Sequence, residues 1–151
     1  MPDDAASPTP RPARLGIDEL QALISEGVPL AGHLDCRVVA LDYGSATLRL
    51  PWSPLIVRPG GTIGGPAMMT LVDVAIWGAV LSMIGPVALA VTTDLTFHFL
   101  RKPPSGTLEA EARTLQLGRR LAVAECTIRG LDDPRPLLHA VGTYALPEAA
   151  G

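Results

Sequence analysis

The sequence predicts an α+β protein in which an antiparallel β-sheet wraps around one long buried helix. Three observations lead to this fold class. The segment from Pro66 to Ile84 is apolar nearly all round, as is typical of a helix at the centre of a core. Two segments with β-strand composition precede it and four follow it. Short links join most of these segments, which favours antiparallel neighbours.

The chain has the length and composition of a single domain behind a tail. Its 151 residues are 48% apolar, which is enough to form one full core. Residues 1–14 hold four prolines among small and polar residues, too few apolar groups to offset the entropy lost on ordering. We therefore predict a disordered, proline-rich tail over residues 1–14 and one domain over residues 15–151.

A short helix and a β-hairpin are predicted at the start of the domain. Apolar residues recur at helical spacing at Ile17, Leu20, Leu23 and Ile24. Gly27 and Pro29 are expected to end that helix. Residues His33–Leu41 and Ser45–Leu50 then have strand composition on either side of a turn at Asp42–Gly44.

The long apolar segment carries the end signals of a helix. Pro66 suits a first helical turn, and Gly85 followed by Pro86 suits a helix end. A helix of this length and composition is either a membrane span or a core helix. Asp73 lies near the middle of this helix, where a charge costs about 3 kcal/mol in a membrane. The strands that follow could cover the helix in a soluble core. The core helix is therefore the preferred interpretation, with no membrane partner.

Four further strands are predicted after the helix. They are Leu89–Leu100, Thr107–Leu117, Leu121–Ile128 and Leu137–Ala145. Turns are expected between them at residues 102–106, 118–120 and 130–136. In the third of these strands the alternate positions are Ala122, Ala124, Cys126 and Ile128. This alternation predicts that one face of the sheet is apolar.

Asp73 is the strongest functional indication in the sequence, because it is the only ionisable side chain between Pro59 and Thr93. A carboxylate within an apolar helix loses solvation, so a fold keeps it only where partners stabilise it or a function requires it. The alternative is a structural carboxylate that hydroxyl groups, such as those of Thr70 or Thr92, hold at a subunit or solvent edge.

A glycine-rich loop over residues 60–65 runs directly into the long helix. The first N–H groups of a helix lack intrahelical partners and carry partial positive charge, so they can bind an oxyanion. A phosphate or a thioester carbonyl that gains charge on attack would fit. The alternative is a flexible, closely packed loop. Phosphate transfer is not favoured, because the loop lacks the Gly-Lys-Ser/Thr and dinucleotide-binding patterns.

The spacing of these two features predicts an oligomer. Gly65 and Asp73 are eight positions apart in the sequence, which is about 12 Å along one helix. They cannot both contact one carbonyl carbon, so a reaction that uses both takes them from different subunits. We therefore expect composite sites at a two-fold interface.

The rest of the sequence argues against several other functions. The 12 basic and 15 acidic residues give a net charge of −3 without a basic run, so no nucleic-acid partner is expected. The two cysteines stand far apart and the three histidines lack ligand spacing, so no disulfide or metal site is predicted. Acidic residues follow Met1 directly, unlike a secretory signal peptide, and a cytoplasmic location is predicted.

Four segments together resemble the hotdog-fold thioesterases of the phenylacetate-degradation (PaaI) type. They read GGTIGGPAMMTLVDVAIWGAV, TTDLTFHFLRKP, GRRLAVAE and HAVGTYALP, and the resemblance covers residues 30–147. It implies a hotdog fold, a homodimer or homotetramer, and hydrolysis of small, medium or aryl acyl-coenzyme A thioesters. The coenzyme A ester is then the substrate, and no metal or other cofactor is needed.

The resemblance also implies roles for individual residues. Asp73 falls on the catalytic carboxylate, which acts as general base or as nucleophile. Gly65 falls on the glycine whose N–H polarises the thioester carbonyl, and Thr92 lies near an assisting hydroxyl position. Strict alternation along its strand would place Thr92 on the same face as Asp94 and His98. Positions near the coenzyme A phosphates are matched by Arg101, Lys102, Arg119 and Arg120, whose alternative role is a solvated basic rim.

Two positions depart from the pattern of the family, and both are assigned to substrate binding. Gly64 stands where the family usually has a histidine, and Arg58 stands where it often has an asparagine. The loss of these groups keeps open an alternative function, a hotdog module that binds acyl-coenzyme A without catalysis. A hydratase or dehydratase would need a histidine beside Asp73, and only His98 could reach that position through the fold.

Overall fold

Three helices and six strands make up residues 9–148, the part of the chain that the computed structural model describes. The helices are α1 (Ile17–Gly27), α2 (Pro29–His33) and α3 (Gly65–Ile84). The strands are β1 (Arg37–Asp42), β2 (Ser45–Leu50), β3 (Val91–Phe99), β4 (Leu108–Leu117), β5 (Leu121–Gly130) and β6 (Asp133–Ala145). A short 3-10 turn, Pro54–Ile56, lies between β2 and the glycine-rich loop.

The six strands form one antiparallel sheet in the order β1-β2-β4-β5-β6-β3. Helix α3 packs against β2, β4 and β5 on one face of this sheet. It is long and apolar enough to cross a membrane, but 72% of its most apolar stretch is buried inside the protein. The predicted α+β architecture, with the sheet around a central core helix, is confirmed.

The alternate apolar residues of β5 form part of the core, as predicted. All four of its members, Ala122, Ala124, Cys126 and Ile128, are fully buried. They lie beneath α3 together with the matching positions of β4, namely Leu108, Ala110 and Ala112. Small alanine side chains let α3 approach the sheet closely, because each adds little volume between helix and strands.

The prediction of a strand beginning at His33 is wrong, because a second short helix occupies Pro29–His33. Pro29 suits the first turn of a helix as well as the region after one, since its missing N–H costs nothing at a helix start. It opens α2 here instead of only ending α1. The chain then turns through Asp35, which has a left-handed backbone (φ 61°), before β1 begins at Arg37.

The last strand starts earlier than predicted. Strand β6 begins at Asp133 rather than Leu137, so the expected loop at residues 130–136 shrinks to a tight turn after Gly130. Two prolines, Pro134 and Pro136, suggested a loop. They are tolerated because they lie in a part of β6 that extends beyond the end of β3, where Phe99 pairs with Leu138.

Part of the predicted tail lies within the described residues. Residues 1–8 fall outside them. The guanidinium of Arg11 lies 5.7 Å from the centre of the Tyr43 ring, and the Arg14 N–H donates to the Ser82 carbonyl at 2.8 Å. Residues 9–14 thus reach back to the hairpin turn and to the end of α3.

Candidate active site

Asp73 lies on α3, half-buried, with one carboxylate oxygen held by two hydroxyl groups. The Thr92 hydroxyl donates to Asp73 Oδ1 at 2.8 Å. The Tyr144 hydroxyl donates to the same oxygen and lies 2.8 Å from the Asp73 carbonyl oxygen. Among residues 9–148 no side chain donates to Oδ2. The carboxylate is therefore fixed through one oxygen while the other keeps its capacity to accept a proton or to attack.

A β-bulge explains how Thr92 reaches Asp73. Thr92 pairs with Tyr144 and Asp94 pairs with Thr143, so Thr93 is an extra residue in β3. The bulge reverses the alternation, and Thr92 comes to lie on the helix side with Leu95 instead of with Asp94. Simple alternation from the sequence places Thr92 on the wrong face for this reason.

Tyr144 is a site residue that the sequence patterns above do not predict. Burial, followed by the nearby Asp73 carboxylate, raises the pKa of its hydroxyl well above the ordinary value. The phenol therefore stays protonated at working pH and continues to donate. Tyr144 alternates along β6 with Leu138, Ala140 and Gly142, so all four lie on the face of the strand toward the helix. This alternation could have identified Tyr144 as a neighbour of α3.

We expect Tyr144→Phe to lower kcat about 10-fold and to change KM much less. The variant keeps the ring in place but removes one donor to a charged oxygen, a bond that contributes about 1.5–3 kcal/mol. Steady-state kinetics on a hydrolysed ester, with Tyr43→Phe as the matched control, would measure the effect. An unchanged kcat in Tyr144→Phe would show that the hydroxyl does not position Asp73 for the reaction.

A cavity of about 220 Å³ opens beside Asp73. Its walls come from the middle of α3, the end of α1 and the start of β3. Apart from Asp73, Thr92 and Tyr144 the lining is mostly apolar and includes Leu23, Val28, Val74 and Trp77. A cavity of about 150 Å³ can hold a benzene ring, so this one is suited to a short or aromatic group.

The glycine-rich loop is an ordered structure at the start of α3. Val57 and Ile63 form an antiparallel bridge, and the Arg58 N–H donates to the Thr62 carbonyl at 2.8 Å. Gly60 and Gly61 have left-handed backbones, with φ of 92° and 78°, which close the turn between them. The loop therefore presents the helix start in a fixed position.

Gly64 and Gly65 form the helix start itself. Gly64 is the N-cap residue of α3 and donates its N–H to the Ile56 carbonyl at 2.7 Å. Gly65 is the first helical residue, and Pro66, which follows it, has no N–H to offer. A Cβ on Gly65 would lie 3.6 Å from the Phe99 ring. Gly65 thus lies beside an aromatic ring at the edge of a second cavity.

The second cavity measures about 520 Å³ and gathers several of the predicted binding residues. Gly65, Arg58, Arg101 and Lys102 all line it, with Phe99 and Met68. Arg58 and Lys102 are both predicted to bind substrate, and the fold brings both beside the helix start. Two cationic side chains near a helix N-terminus make this end of α3 suitable for an anionic ligand.

The four basic residues predicted near coenzyme A phosphates do not come together within one subunit. Arg101 and Lys102 follow the end of β3, whereas Arg119 and Arg120 lie in the turn that reaches the start of β3. The length of β3, about 30 Å for nine residues, separates the two pairs. Arg119 lines a different cavity, of about 610 Å³, with Leu89 and Leu117.

Two of these four basic residues already have partners. Arg101 donates to the carbonyl oxygens of Pro136 (3.2 Å) and Arg135 (3.0 Å) and to Asp133 (3.3 Å). It therefore anchors the start of β6. Arg120 forms an exposed ion pair with Glu148 at 2.5 Å. Exposed pairs of this kind contribute little to stability, so this pair can exchange for a ligand.

His98, the histidine that a hydratase would need, lies away from Asp73. His98 pairs across the strands with His139, which contacts Glu125 on the outer face of the sheet, opposite to Asp73. A hydratase needs a histidine beside Asp73, and this requirement is not met in the described part of the chain.

Burial raises the pKa of Cys36 to about 11 and that of Cys126 to about 12. Neither thiol provides a thiolate near neutral pH.

The family of this chain follows from comparison with known proteins. The model of the thioesterase superfamily matches residues 60–136, slightly more than half of the chain. The chain belongs to the thioesterase superfamily. The matched range contains the glycine-rich loop, all of α3 and the strands β3 to β5. Both Asp73 and Gly65 lie within this superfamily region.

Individual relatives agree with this membership. A candidate thioesterase of Silicibacter sp. TM1040 has 38% sequence identity and a TM-score of 0.81, over 89% of this chain and 94% of its own. A candidate esterase of Halobacterium salinarum is 34% identical over 74% of this chain and 78% of its own length. The predicted hotdog thioesterase family is confirmed, and membership indicates thioester hydrolysis as the general chemistry.

A third comparison shows the fold alone. A variant of the phenylacetic acid degradation protein PaaI of Thermus thermophilus aligns with a TM-score of 0.70, over 79% of this chain and 99% of its own. Its sequence identity to this chain is 23%. This thioesterase-superfamily member therefore shares the hotdog architecture with PaaI.

Proposed function

We propose that this protein hydrolyses acyl-coenzyme A thioesters of small, medium or aryl acyl groups, as PaaI-type enzymes do. The single observation that carries the proposal is the Asp73 carboxylate, fixed through Oδ1 by Thr92 and Tyr144 beside a mostly apolar cavity. Such a carboxylate has the fixed orientation that a general base or a nucleophile needs. The 220 Å³ of the cavity favour a short or aromatic acyl group.

The chemistry requires two groups that one subunit keeps apart. As general base, Asp73 takes a proton from water while the water oxygen attacks the thioester carbonyl carbon. The resulting oxyanion needs an N–H donor, which the Gly65 N–H at a helix start provides. The C–S bond then breaks, and the coenzyme A thiolate leaves and takes a proton. As nucleophile, Asp73 would instead form an anhydride that water opens.

The free edge of β3 supports a site shared by two subunits. Among residues 9–148 of one protomer β3 pairs only with β6, and Val91 and Phe99 at its ends are 58% and 53% exposed. Thr92 and Asp73 lie near the start of β3, whereas Phe99 lies over Gly65 at its end. A two-fold axis that pairs two β3 edges antiparallel places the start of one strand beside the end of the other.

This arrangement would join the two half-sites of a homodimer. Asp73 of one chain would then face the helix start of the partner subunit, where Arg58 and Lys102 line the adjoining cavity. The same pairing brings the turn that carries Arg119 and Arg120 toward the Lys102 end of its partner. Such a set of cations is suited to the phosphates of coenzyme A. A homotetramer would be a pair of these dimers.

Activity is proposed to need no metal ion or other cofactor, and a cytoplasmic location remains a prediction.

The experiment that tests the proposed hydrolysis is release of free thiol from short aliphatic, long aliphatic and aryl esters of coenzyme A, measured with a colorimetric thiol reagent. We expect release from short or aryl esters and little from long ones. Release that is absent for every ester would contradict the proposed hydrolysis.

One observation favours a second candidate function, binding of acyl-coenzyme A without catalysis. Gly64 carries no side chain at the position where the family has a histidine, and its N–H is used within the fold. Saturable binding of an acyl-coenzyme A ester by calorimetry, without thiol release, would select this function. Thiol release would exclude it.

A further inference from the structure

One narrow stripe of α3 is left uncovered by the rest of the described chain. Along residues 66–82 every residue is buried except Pro66, Met69, Thr70 and Asp73. Positions that are three, four and seven apart lie on one face of a helix. These four residues therefore form a single stripe, which ends at Asp73 and which another chain could contact.

Met69 is the large apolar residue at the centre of this stripe. It is 40% exposed, whereas the neighbouring Thr70 hydroxyl donates within the helix to the Pro66 carbonyl at 2.9 Å. Met69 lies four positions after Gly65 and four positions before Asp73, which is about 6 Å from each along the axis. It is thus midway between the two groups that the proposed reaction uses.

A site shared by two subunits fixes where the two-fold axis crosses α3. If Asp73 of one chain faces Gly65 of the partner subunit, symmetry requires that Gly65 faces the partner's Asp73. Two helix segments that are paired in this way run antiparallel and have a common midpoint, through which the axis passes. Because the midpoint between Gly65 and Asp73 is Met69, the two copies of Met69 lie opposite each other.

We propose that the two Met69 side chains pack against each other on the two-fold axis and set the distance between Asp73 and the helix start of the partner subunit. The inference rests on the proposed function and adds a positioning residue to its shared site. Packed helices lie about 8–10 Å apart, and the side chains at their contact decide the distance. The Met69 pair is that contact, and it also separates the two sites of the dimer.

Cysteine crosslinking tests the position of Met69 without any substrate. In Met69→Cys the two new thiols lie opposite each other, so we expect mild oxidation or a short bismaleimide to join the two chains covalently. A disulfide needs Cα atoms within about 7 Å, and the bismaleimide extends that reach. Both native cysteines, Cys36 and Cys126, are buried, so the wild type should give no crosslink.

Leu89→Cys is the matched control for this experiment. Leu89 is 80% exposed, more than Met69, and it lies just before the start of β3. Antiparallel pairing of two β3 edges puts the two copies of Leu89 at opposite ends of the strands, about 30 Å apart. Leu89→Cys should therefore react with a monofunctional maleimide but give no crosslink. No crosslink in Met69→Cys, or an equal crosslink in both variants, would overturn the proposal.

Side chains of different volume test whether Met69 positions the reacting groups. Met69→Ala should lower kcat about 10-fold and change KM much less, because a displacement of about 1 Å can cost about 100-fold in rate. Leucine has nearly the volume of methionine, so Met69→Leu should keep most of kcat. Steady-state kinetics of thiol release measure both, and an unchanged kcat in Met69→Ala would overturn the positioning role.

The two kinds of experiment separate this inference from the proposed hydrolysis. A crosslink in Met69→Cys together with no thiol release from any ester would support the axial position of Met69 and contradict only the hydrolysis. Thiol release by the wild type together with no crosslink in Met69→Cys would contradict only the Met69 contact.

Discussion

Asp73→Asn is expected to lower kcat for thioester hydrolysis by about 10²–10⁴-fold, the contribution typical of a general base. Asparagine keeps the size of the side chain and an Oδ1 that can still accept bonds from Thr92 and Tyr144. It cannot take a proton from water or attack a thioester. Binding of acyl-coenzyme A should persist, because the cations near the helix start are unchanged.

The measurement is thiol release together with calorimetric binding for the wild type, Asp73→Asn and Asp42→Asn. Asp42 is an exposed aspartate at the end of β1, and its variant makes the same charge change outside both cavities. The competing interpretation is a structural carboxylate that two hydroxyls hold in place. It predicts near-normal turnover with a lowered midpoint of thermal unfolding, and that outcome would contradict a catalytic Asp73.

Gly65→Leu should lower kcat/KM by about 10²-fold, similar to the loss of one oxyanion donor. The fold has room for the first carbon, since a Cβ would meet the Phe99 ring at an ordinary 3.6 Å. The rest of the leucine would extend into the 520 Å³ cavity in front of the N–H. The thioester carbonyl could then no longer approach the helix start.

A matched control for this variant exists at the start of α1. Gly16 is the N-cap residue of that helix, and a Cβ there would meet nothing within 4 Å. Gly16→Leu therefore adds the same side chain at a helix start outside both cavities. Steady-state kinetics of both variants measure the effect. A wild-type value of kcat/KM in Gly65→Leu would show that the helix start takes no part in the reaction.

The sequence predicts the centre of this fold better than its periphery. Helix α3 and its lone carboxylate are predictable from the sequence. A helix that is apolar nearly all round is stable mainly inside a core, and a carboxylate kept within such a helix usually serves a function. The glycine-rich loop is predictable for a similar reason, since positive φ at Gly60 and Gly61 favours glycine. Family resemblance added the hotdog architecture and its chemistry.

Other features depend on tertiary structure and lie beyond local patterns. The β3 bulge that directs Thr92 at Asp73 depends on pairing with β6, a strand about 50 residues later in the chain. Tyr144 reaches Asp73 through the same sheet. The separation of Arg119 and Arg120 from Lys102 follows from the strand order, in which β3 joins the far edge beside β6. No local pattern encodes that order.

The central claim is that Asp73 of one subunit works with the helix start of another, and a mixed oligomer tests it most directly. Chains with Asp73→Asn and chains with Gly65→Leu are coexpressed with different affinity tags, and the dimer that contains one of each is purified. One of its two sites then combines an intact Asp73 with an intact Gly65 from the partner subunit.

The shared site predicts that this mixed dimer regains about half of the wild-type thiol release, although each parent dimer is nearly inactive. If Asp73 and Gly65 of the same chain formed the site, both sites of the mixed dimer would carry a defect. A mixed dimer as inactive as its parents would contradict the account.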